Sequence, residues 1–168
     1  MESRIVVYTA LTGAYEELNQ TGDFQNSQNI DYICFTDTEV EESQNWDIQV
    51  IQSSLDPILL SRAIKMMQVF DLPDGTIAIY KDNTVALRGP IREMVDLLLG
   101  GAEIAFMHHS SRRTLINEFI ACEVFSKDRA STIRSQFRFL LNEDFYGMKA
   151  KPLWGGLFIF RVTPATRA

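Results

Sequence analysis

Hydrophobic positions fall into six short strand-like runs, with longer stretches of helical period between most of them. Residues 4–10, RIVVYTA, are a β-branched run that predicts the first strand. Residues 31–35, DYICF, and 46–51, WDIQVI, predict the second and third. Ile77 and Ile79 alternate as in a half-buried strand and open the segment 76–90, TIAIYKDNTVALRGP. Residues 102–107, AEIAFM, read as a buried strand, and residues 157–162 as the last one, with 157–160 in the core.

Helical spacing fills the gaps. Asp56-Pro57 is a strong start, since Asp56 caps free N–H groups and proline suits the first helical position. That helix is predicted to carry Ile58, Leu59, Ile64, Met67 and Phe70 inward, with Arg62 and Lys65 on one edge. Gly89-Pro90 opens a helix that runs to Leu99 and stops at Gly100-Gly101. Residues 114–125 and 128–141 predict two more, the second with Ile133, Phe137, Leu140 and Leu141 as its apolar face. Residues 14–18 are expected to make one or two helical turns, and 163–168 a frayed tail. Strands alternating with helices predict an α/β fold with a mixed, mainly parallel sheet flanked by helices. No linker, repeat or low-complexity segment divides the 168 residues, so 1–168 reads as one compact domain. A domain of that size buries about 70% of the surface its unfolded chain exposes.

Polar clusters stand at strand ends. Lys81, Asp82, Asn83 and Thr84 follow the strand begun at Ile77 and precede a second apolar run, 85–87. The simpler reading is a β-hairpin with a polar tip. The other is a buried strand delivering a carboxylate to the carboxyl edge of an open sheet, where such sheets bind ligands. His108, His109, Ser110, Ser111, Arg112 and Arg113 form a second cluster after residues 102–107.

Composition narrows the classes. The chain is 46% hydrophobic and 23% charged, and no apolar run approaches the roughly 20 residues a membrane helix needs. The N-terminus lacks the basic-then-apolar pattern of a signal peptide. Cys34 and Cys122 lie far apart in apolar surroundings, which predicts buried free thiols and a cytoplasmic setting. Residues 1–60 hold eleven acids against Arg4 alone, a net −10, and residues 61–168 hold fifteen bases against eleven acids, a net +4. That balance argues against nucleic acid as the main partner and leaves room for a smaller anion, such as a nucleotide diphosphate.

Six segments occur in a recognisable order: IVVYTALTGAYEEL, DYICFTD, SRAIKMM, IAIYKDNTVALRGPI, FMHHSSRR with Glu118 downstream, and PLWGGLFIFR. Together they resemble the glycosyltransferase-like family once catalogued only as a domain of unknown function, which includes plant turgor-regulating ceramidase-like and mucilage-related members. The resemblance implies a GT-A type, Rossmann-like fold and transfer of a sugar from a nucleotide-diphospho-sugar to a carbohydrate or other hydroxyl acceptor. It places Asp82 at the diphosphate, with a divalent cation, manganese or magnesium, as the implied cofactor. The matching acidic motif usually carries two carboxylates, and the stretch Asp82-Asn83-Thr84 lacks the second, so the implied metal ligand is Asp82 alone. Thr9, Thr12 and Tyr15 would border the nucleotide, Asp37 the nucleoside, and Arg62 and Lys65 the phosphates. His108, Arg112, Trp154 and Gly155 would shape the sugar and acceptor side, with Glu118 as the acceptor's base; Asp82, His108 and Glu118 are thus the implied catalytic set. Family members continue into another helical segment where this chain stops, so the resemblance also implies a shortened C-terminus. The alternative is a catalytically inactive nucleotide- or glycan-binding module of the same fold.

Overall fold

A computed structural model describes residues 3–20, 30–40, 43, 45–68 and 71–167. Six strands form one mixed sheet: β1 (Ile5–Leu11), β2 (Ile30–Thr36), β3 (Asp47–Val50), β4 (Ile77–Lys81), β5 (Ile104–His108) and β6 (Leu153–Arg161), in the order β3-β2-β1-β4-β6-β5. β1 pairs in parallel with β2 and with β4, and β2 with β3, whereas β4 and β6 are antiparallel. The α/β class and the flanked mixed sheet expected from the alternating pattern are therefore present. The chain divides into two compact units, residues 1–105 with 156–168, and residues 106–155.

The larger unit is built on strands buried on both faces. One face gathers Val6, Tyr8, Ile33, Phe35, Ala78, Tyr80, Phe158 and Phe160 against Leu60 and Ile64. The alternate positions Ile5, Val7, Thr9, Cys34, Ile79, Lys81 and Ile159 are buried as well. That double burial explains the near-continuous apolar runs of β1 and β4, as in sheets covered on both sides. The residues over the first face come from α1 (Pro57–Lys65), started by Asp56, whose carboxylate accepts from the Ile58 N–H at 2.9 Å. Its inward residues are Leu60, Ala63 and Ile64. Ile58 and Leu59, expected inside, are 52% and 50% exposed. Three apolar residues in succession leave the helix phase open, and packing chose the third. Met67 lies beyond the helix with φ 54° but still packs on the core, and Phe70 lies outside the described residues. α2 (Ile91–Leu99) buries Ile91, Val95 and Leu99 and ends at Gly100, as the Gly-Pro and Gly-Gly signals predict.

Several expectations are corrected. Segment 76–90 is not a hairpin: β4 pairs with β1 and β6, and residues 82–90 are irregular. Residues 14–18 form no helix. β5 is the sheet's edge strand, and Ile104, Phe106 and Met107 are exposed rather than buried. The last strand, expected to start at residue 157, begins at Leu153, so Trp154, Gly155 and Gly156 belong to β6. Residues 163–167 are tied down: Arg167 pairs with Asp71 and Asp74 and bonds the Leu72 carbonyl, while Thr166 Oγ1 donates to the Arg161 carbonyl at 2.7 Å. Both cysteines are free, but Cys122 is half-buried.

The smaller unit contains α3 (Leu115–Val124) and α4 (Ala130–Glu143). Thr114 caps α3 by accepting from the Asn117 N–H at 3.1 Å. Phe119 meets Phe137 edge to face with centroids 5.4 Å apart, and Arg134 Nε reaches Glu123 at 2.8 Å. Ile133 is buried, and Phe137, Leu140 and Leu141 beside it are half-buried, so the expected face of α4 is the one turned inward. Among the described residues no helix is long and apolar enough to cross a membrane.

Candidate functional site

The order β3-β2-β1-β4 puts a topological switch point between β1 and β4. Chain leaving β1 turns toward β2, while β4 lies on β1's other side. Open sheets bind ligands in the crevice outside the carboxyl ends of such a strand pair. Here those ends deliver the 12–20 loop and the polar cluster 81–84.

Asp82 is the first residue past β4, and its N–H donates to the Gly156 carbonyl at 2.8 Å. Its Oδ1 accepts from the Tyr80 hydroxyl at 2.7 Å and from Lys65 Nζ at 3.2 Å. Lys65, in the last turn of α1, also sits 4.5 Å from the Tyr80 ring centroid. Core aromatics fix this arrangement. The Tyr8 hydroxyl donates to the Lys65 carbonyl at 2.8 Å, and the Tyr8 and Tyr80 rings meet at 5.3 Å. Burial first, and then the Asp82 charge, pushes the Tyr80 phenol well above its ordinary range, so it remains a donor to the carboxylate. The Lys65–Asp82 side chains are 24% and 41% exposed. A half-solvated pair of this kind contributes at most about 1 kcal/mol to stability, so folding gives little reason for it.

Lys81 points to the other face of β4 and is 3% exposed. Its ammonium lies 5.1 Å from the Trp46 ring centroid, with the Asp82 carbonyl 3.5 Å away. Burial lowers its pKa, against the opposing charges of Cys34, Asp82 and Glu16. Cys34 is buried in β2, and its thiol is pushed up to about 12 by the same desolvation.

The 12–20 loop is fastened at several points. Thr12 Oγ1 donates to the Pro57 carbonyl at 2.7 Å, and the Gly13 N–H donates to Asp37 at 2.9 and 3.0 Å. Asn83, buried at 3% exposure, does the rest. Its Oδ1 accepts from the Asn19 N–H at 2.8 Å, its carbonyl from Asn19 Nδ2 at 2.7 Å, and its Nδ2 donates to the Glu17 carbonyl at 2.8 Å. Trp46 Nε1 adds a bond to the Asn19 carbonyl at 3.1 Å. Asn83 thus holds a loop with one donor and one acceptor on the same side chain, a combination an aspartate lacks. Gly13 has φ 76°, and a Cβ there would stand 2.3 Å from the Tyr15 ring, so glycine is what lets Tyr15 fold back over the crevice.

Between these parts lies a cavity of about 280 Å³, lined by Thr12, Tyr15, Glu16, Ser61, Tyr80, Asp82, Asn83 and Thr84 among others. Tyr15 and Glu16 also line a neighbouring cavity of about 540 Å³ with Glu17, Leu18, Thr38 and Glu39. Sequence reasoning singled out Thr12, Tyr15 and Asp82 here, with Lys65 beside them, and missed Glu16 and Ser61. Ser61 lies one turn before Lys65, a spacing that could have flagged it; nothing in the local pattern marks Glu16.

Other expected site residues are placed differently. Thr9 is fully buried in β1, its Oγ1 without a hydrogen-bond partner among the described residues. Asp37 is occupied by Gly13. Arg62 is exposed on α1. In the smaller unit, Arg112 Nε donates to Glu118 Oε2 at 3.1 Å, and His109 Nε2 lies 3.8 Å from the same oxygen. His109 Nδ1 accepts from the Ser111 and Arg112 N–H groups at 3.2 Å, which puts the proton of a neutral ring on Nε2, toward Glu118. Cys122 Sγ lies 3.6 Å from Glu118 Oε1, and burial, then Glu118, raises that thiol's pKa. His109, the neighbour of the expected His108, is therefore the histidine grouped with Arg112 and Glu118. His108 is exposed at the end of β5, and Trp154 and Gly155 lie in β6, the former half-buried.

Among the described residues no group of three His, Cys, Asp or Glu side chains is placed to hold a metal ion. A cation caged by protein alone does not fit that donor set. A magnesium or manganese ion shared with a ligand's phosphates needs only one or two carboxylates, and the oxygen lining of the 280 Å³ cavity fits that arrangement. Comparison with protein-family models, with curated proteins and with solved structures gave no significant match.

Proposed function

We propose that the chain is a GT-A-like glycosyltransferase that binds a nucleotide-diphospho-sugar and transfers the sugar to a hydroxyl acceptor. The observation that carries this reading is the cavity at the β1–β4 switch point, with Asp82 held there by Lys65 and Tyr80. Sugar transfer breaks the bond from the anomeric carbon to the diphosphate oxygen, and charge accumulates on that oxygen. Lys65, 3.2 Å from Asp82, is the cation this reading assigns to that oxygen, where its charge would lower the cost of the developing negative charge. The Thr12, Ser61 and Tyr80 hydroxyls donate to the Pro57 carbonyl, the Ile58 carbonyl and Asp82, so they offer the cavity oxygen acceptors, and Tyr15 supplies a flat wall for a ring. A manganese or magnesium ion is the cofactor of this reading; when bound, it would offset the charge of the diphosphate. The resemblance gives sugar and acceptor roles to His108, Arg112, Glu118, Trp154 and Gly155 of the smaller unit, and within that unit His109 stands beside Glu118. Two unpaired cysteines accord with a cytoplasmic setting.

One observation favours a second reading. Asn83 is committed to the loop, so the strand-end motif has a single carboxylate, as a non-catalytic nucleotide- or glycan-binding module would tolerate. Thermal-shift titration with uridine and guanosine diphospho-sugars, with and without manganese, separates the readings when free nucleotide is assayed in the same tubes. Stabilisation with acceptor-dependent release is expected of the transferase. Stabilisation without release identifies the binding module, and no shift with any nucleotide overturns both.

A further inference from the structure

The two compact units carry opposite charge. Residues 106–155 hold eight bases against five acids, a net +3, and the rest of the chain holds eight bases against seventeen acids, a net −9. The basic unit also keeps apolar surface uncovered. Seven of the ten residues of α3 are apolar, yet none of the ten is buried. Where α3 meets α4, Phe119 faces Phe137 and Glu123 faces Arg134. The numbers rise on one helix as they fall on the other, so the two helices are antiparallel. Residues 125–129 are the turn that joins them at one end of the pair.

That end is exposed throughout, from residue 124 to residue 132. Val124 is 70% and Phe125 64% exposed, and Ile120, one turn back, is 56% exposed. Residues four apart share a helix face, so Ile120 and Val124 form a stripe that Phe125 continues. Lys127 and Arg129 follow at once, and neither pairs with an acidic side chain among the described residues. The Asp128 carboxylate between them accepts from the Arg129 backbone N–H at 2.6 Å. A turn at the end of a helix pair is convex, so it offers a partner protein no groove to fill, but it can enter a soft surface. Apolar side chains on such a turn reach the boundary between lipid headgroups and acyl chains, while lysine and arginine beside them keep their charges at the phosphates. Bases around apolar residues fit an anionic surface. The acids of the larger unit are repelled by that same surface, so contact is confined to the smaller one.

We propose that the turn between α3 and α4 docks the chain on an anionic membrane surface. Val124 and Phe125 enter the interface, Ile120 follows along the helix, and Lys127 and Arg129 meet the headgroup phosphates. The chain lies on the lipid and does not span it. This inference uses no residue of the cavity between β1 and β4, so it stands or falls apart from the nucleotide-sugar reading.

Sedimentation of the full chain with phosphatidylcholine vesicles, plain or containing about one third phosphatidylserine, tests this. Wild type should bind the anionic vesicles and not the neutral ones, and added salt should weaken that binding. Val124→Gln combined with Phe125→Gln should lower it by about tenfold or more. Lys127→Gln and Arg129→Gln should lower it by about fivefold for each base removed. All four side chains are exposed, so circular dichroism of these variants should match wild type. Leu97→Gln, at a side chain 83% exposed on the larger unit, should leave vesicle binding unchanged. Equal binding to the two kinds of vesicle, binding to neither, or full binding by the Val124→Gln, Phe125→Gln variant overturns the proposal. A dimer seen by sedimentation velocity without lipid, and dissociated by that same variant, also overturns it, because the turn then meets a second copy of the chain.

Discussion

Asn83 shows how much one side chain decides. Read along the sequence, it is one of the polar residues after the strand that ends at Lys81; in the fold, its amide ties that strand end to residues 17 and 19. Asn83→Asp keeps the acceptor and loses the donor to the Glu17 carbonyl, and it sets a carboxylate against that carbonyl in a buried place. The expected cost is about 1–3 kcal/mol, measured by urea unfolding. A variant as stable as wild type would show that the amide network does not hold the loop. Lys81 makes a pH-dependent prediction. Its folded pKa lies below the unfolded value of 10.5, so the unfolded chain binds more protons between those two values. Lys81 therefore destabilises most when the pH is below its folded pKa, and that penalty fades as pH rises toward 10.5. Relative to Lys81→Met, wild type should gain stability as pH rises across that window. A difference that stays flat with pH would mean that the buried amine is not desolvated. Above about pH 10, the ordinary tyrosine range, the buried tyrosines act in the opposite direction, because Tyr8, Tyr32 and Tyr80 all have raised pKa values.

Helix α1 joins core packing to the site at the scale of the element. Leu60, Ala63 and Ile64 anchor it, and its last residue presents Lys65 to Asp82. Leu60→Ala should cost about 2–5 kcal/mol, whereas Leu59→Ala, on a half-exposed side chain, should stay within about 0.5. Thermal unfolding of the pair reads this directly, and equal losses would contradict the helix phase. The sequence showed where α1 starts, because Asp56-Pro57 is a chemical signal. It did not show which residues face inward, because Ile58, Leu59 and Leu60 are all apolar. The strands were legible for the same reason that α1's phase was not: double burial writes a long apolar run whatever the pairing. β5 was misread because an edge strand carries an apolar run as readily as a buried one. The loop contacts of Asn83, and Glu16 with them, were not legible at all. They join residues more than sixty positions apart, through hydrogen bonds that leave no periodic trace.

The arrangement of strands is what turns these pieces into a candidate site. The order β3-β2-β1-β4 opens a crevice between the ends of β1 and β4, and the residues after those two strands line it. Asp82 and Lys65 stood out in the sequence as a strand-end carboxylate and a helix-edge cation, and the fold brings them within 3.2 Å of each other. The cluster of His109, Arg112 and Glu118 belongs to residues 106–155 and was foreseen in part, with the neighbouring histidine in its place. Asp82 carries the central assignment, and calorimetric titration of uridine and guanosine diphospho-sugars with manganese present, into wild type and into Asp82→Ala, tests it most directly. Wild type should bind one of these ligands saturably, and Asp82→Ala should weaken that binding by about tenfold or more. Equal binding by the two proteins, or none by wild type, would contradict a nucleotide-sugar site at the end of β4.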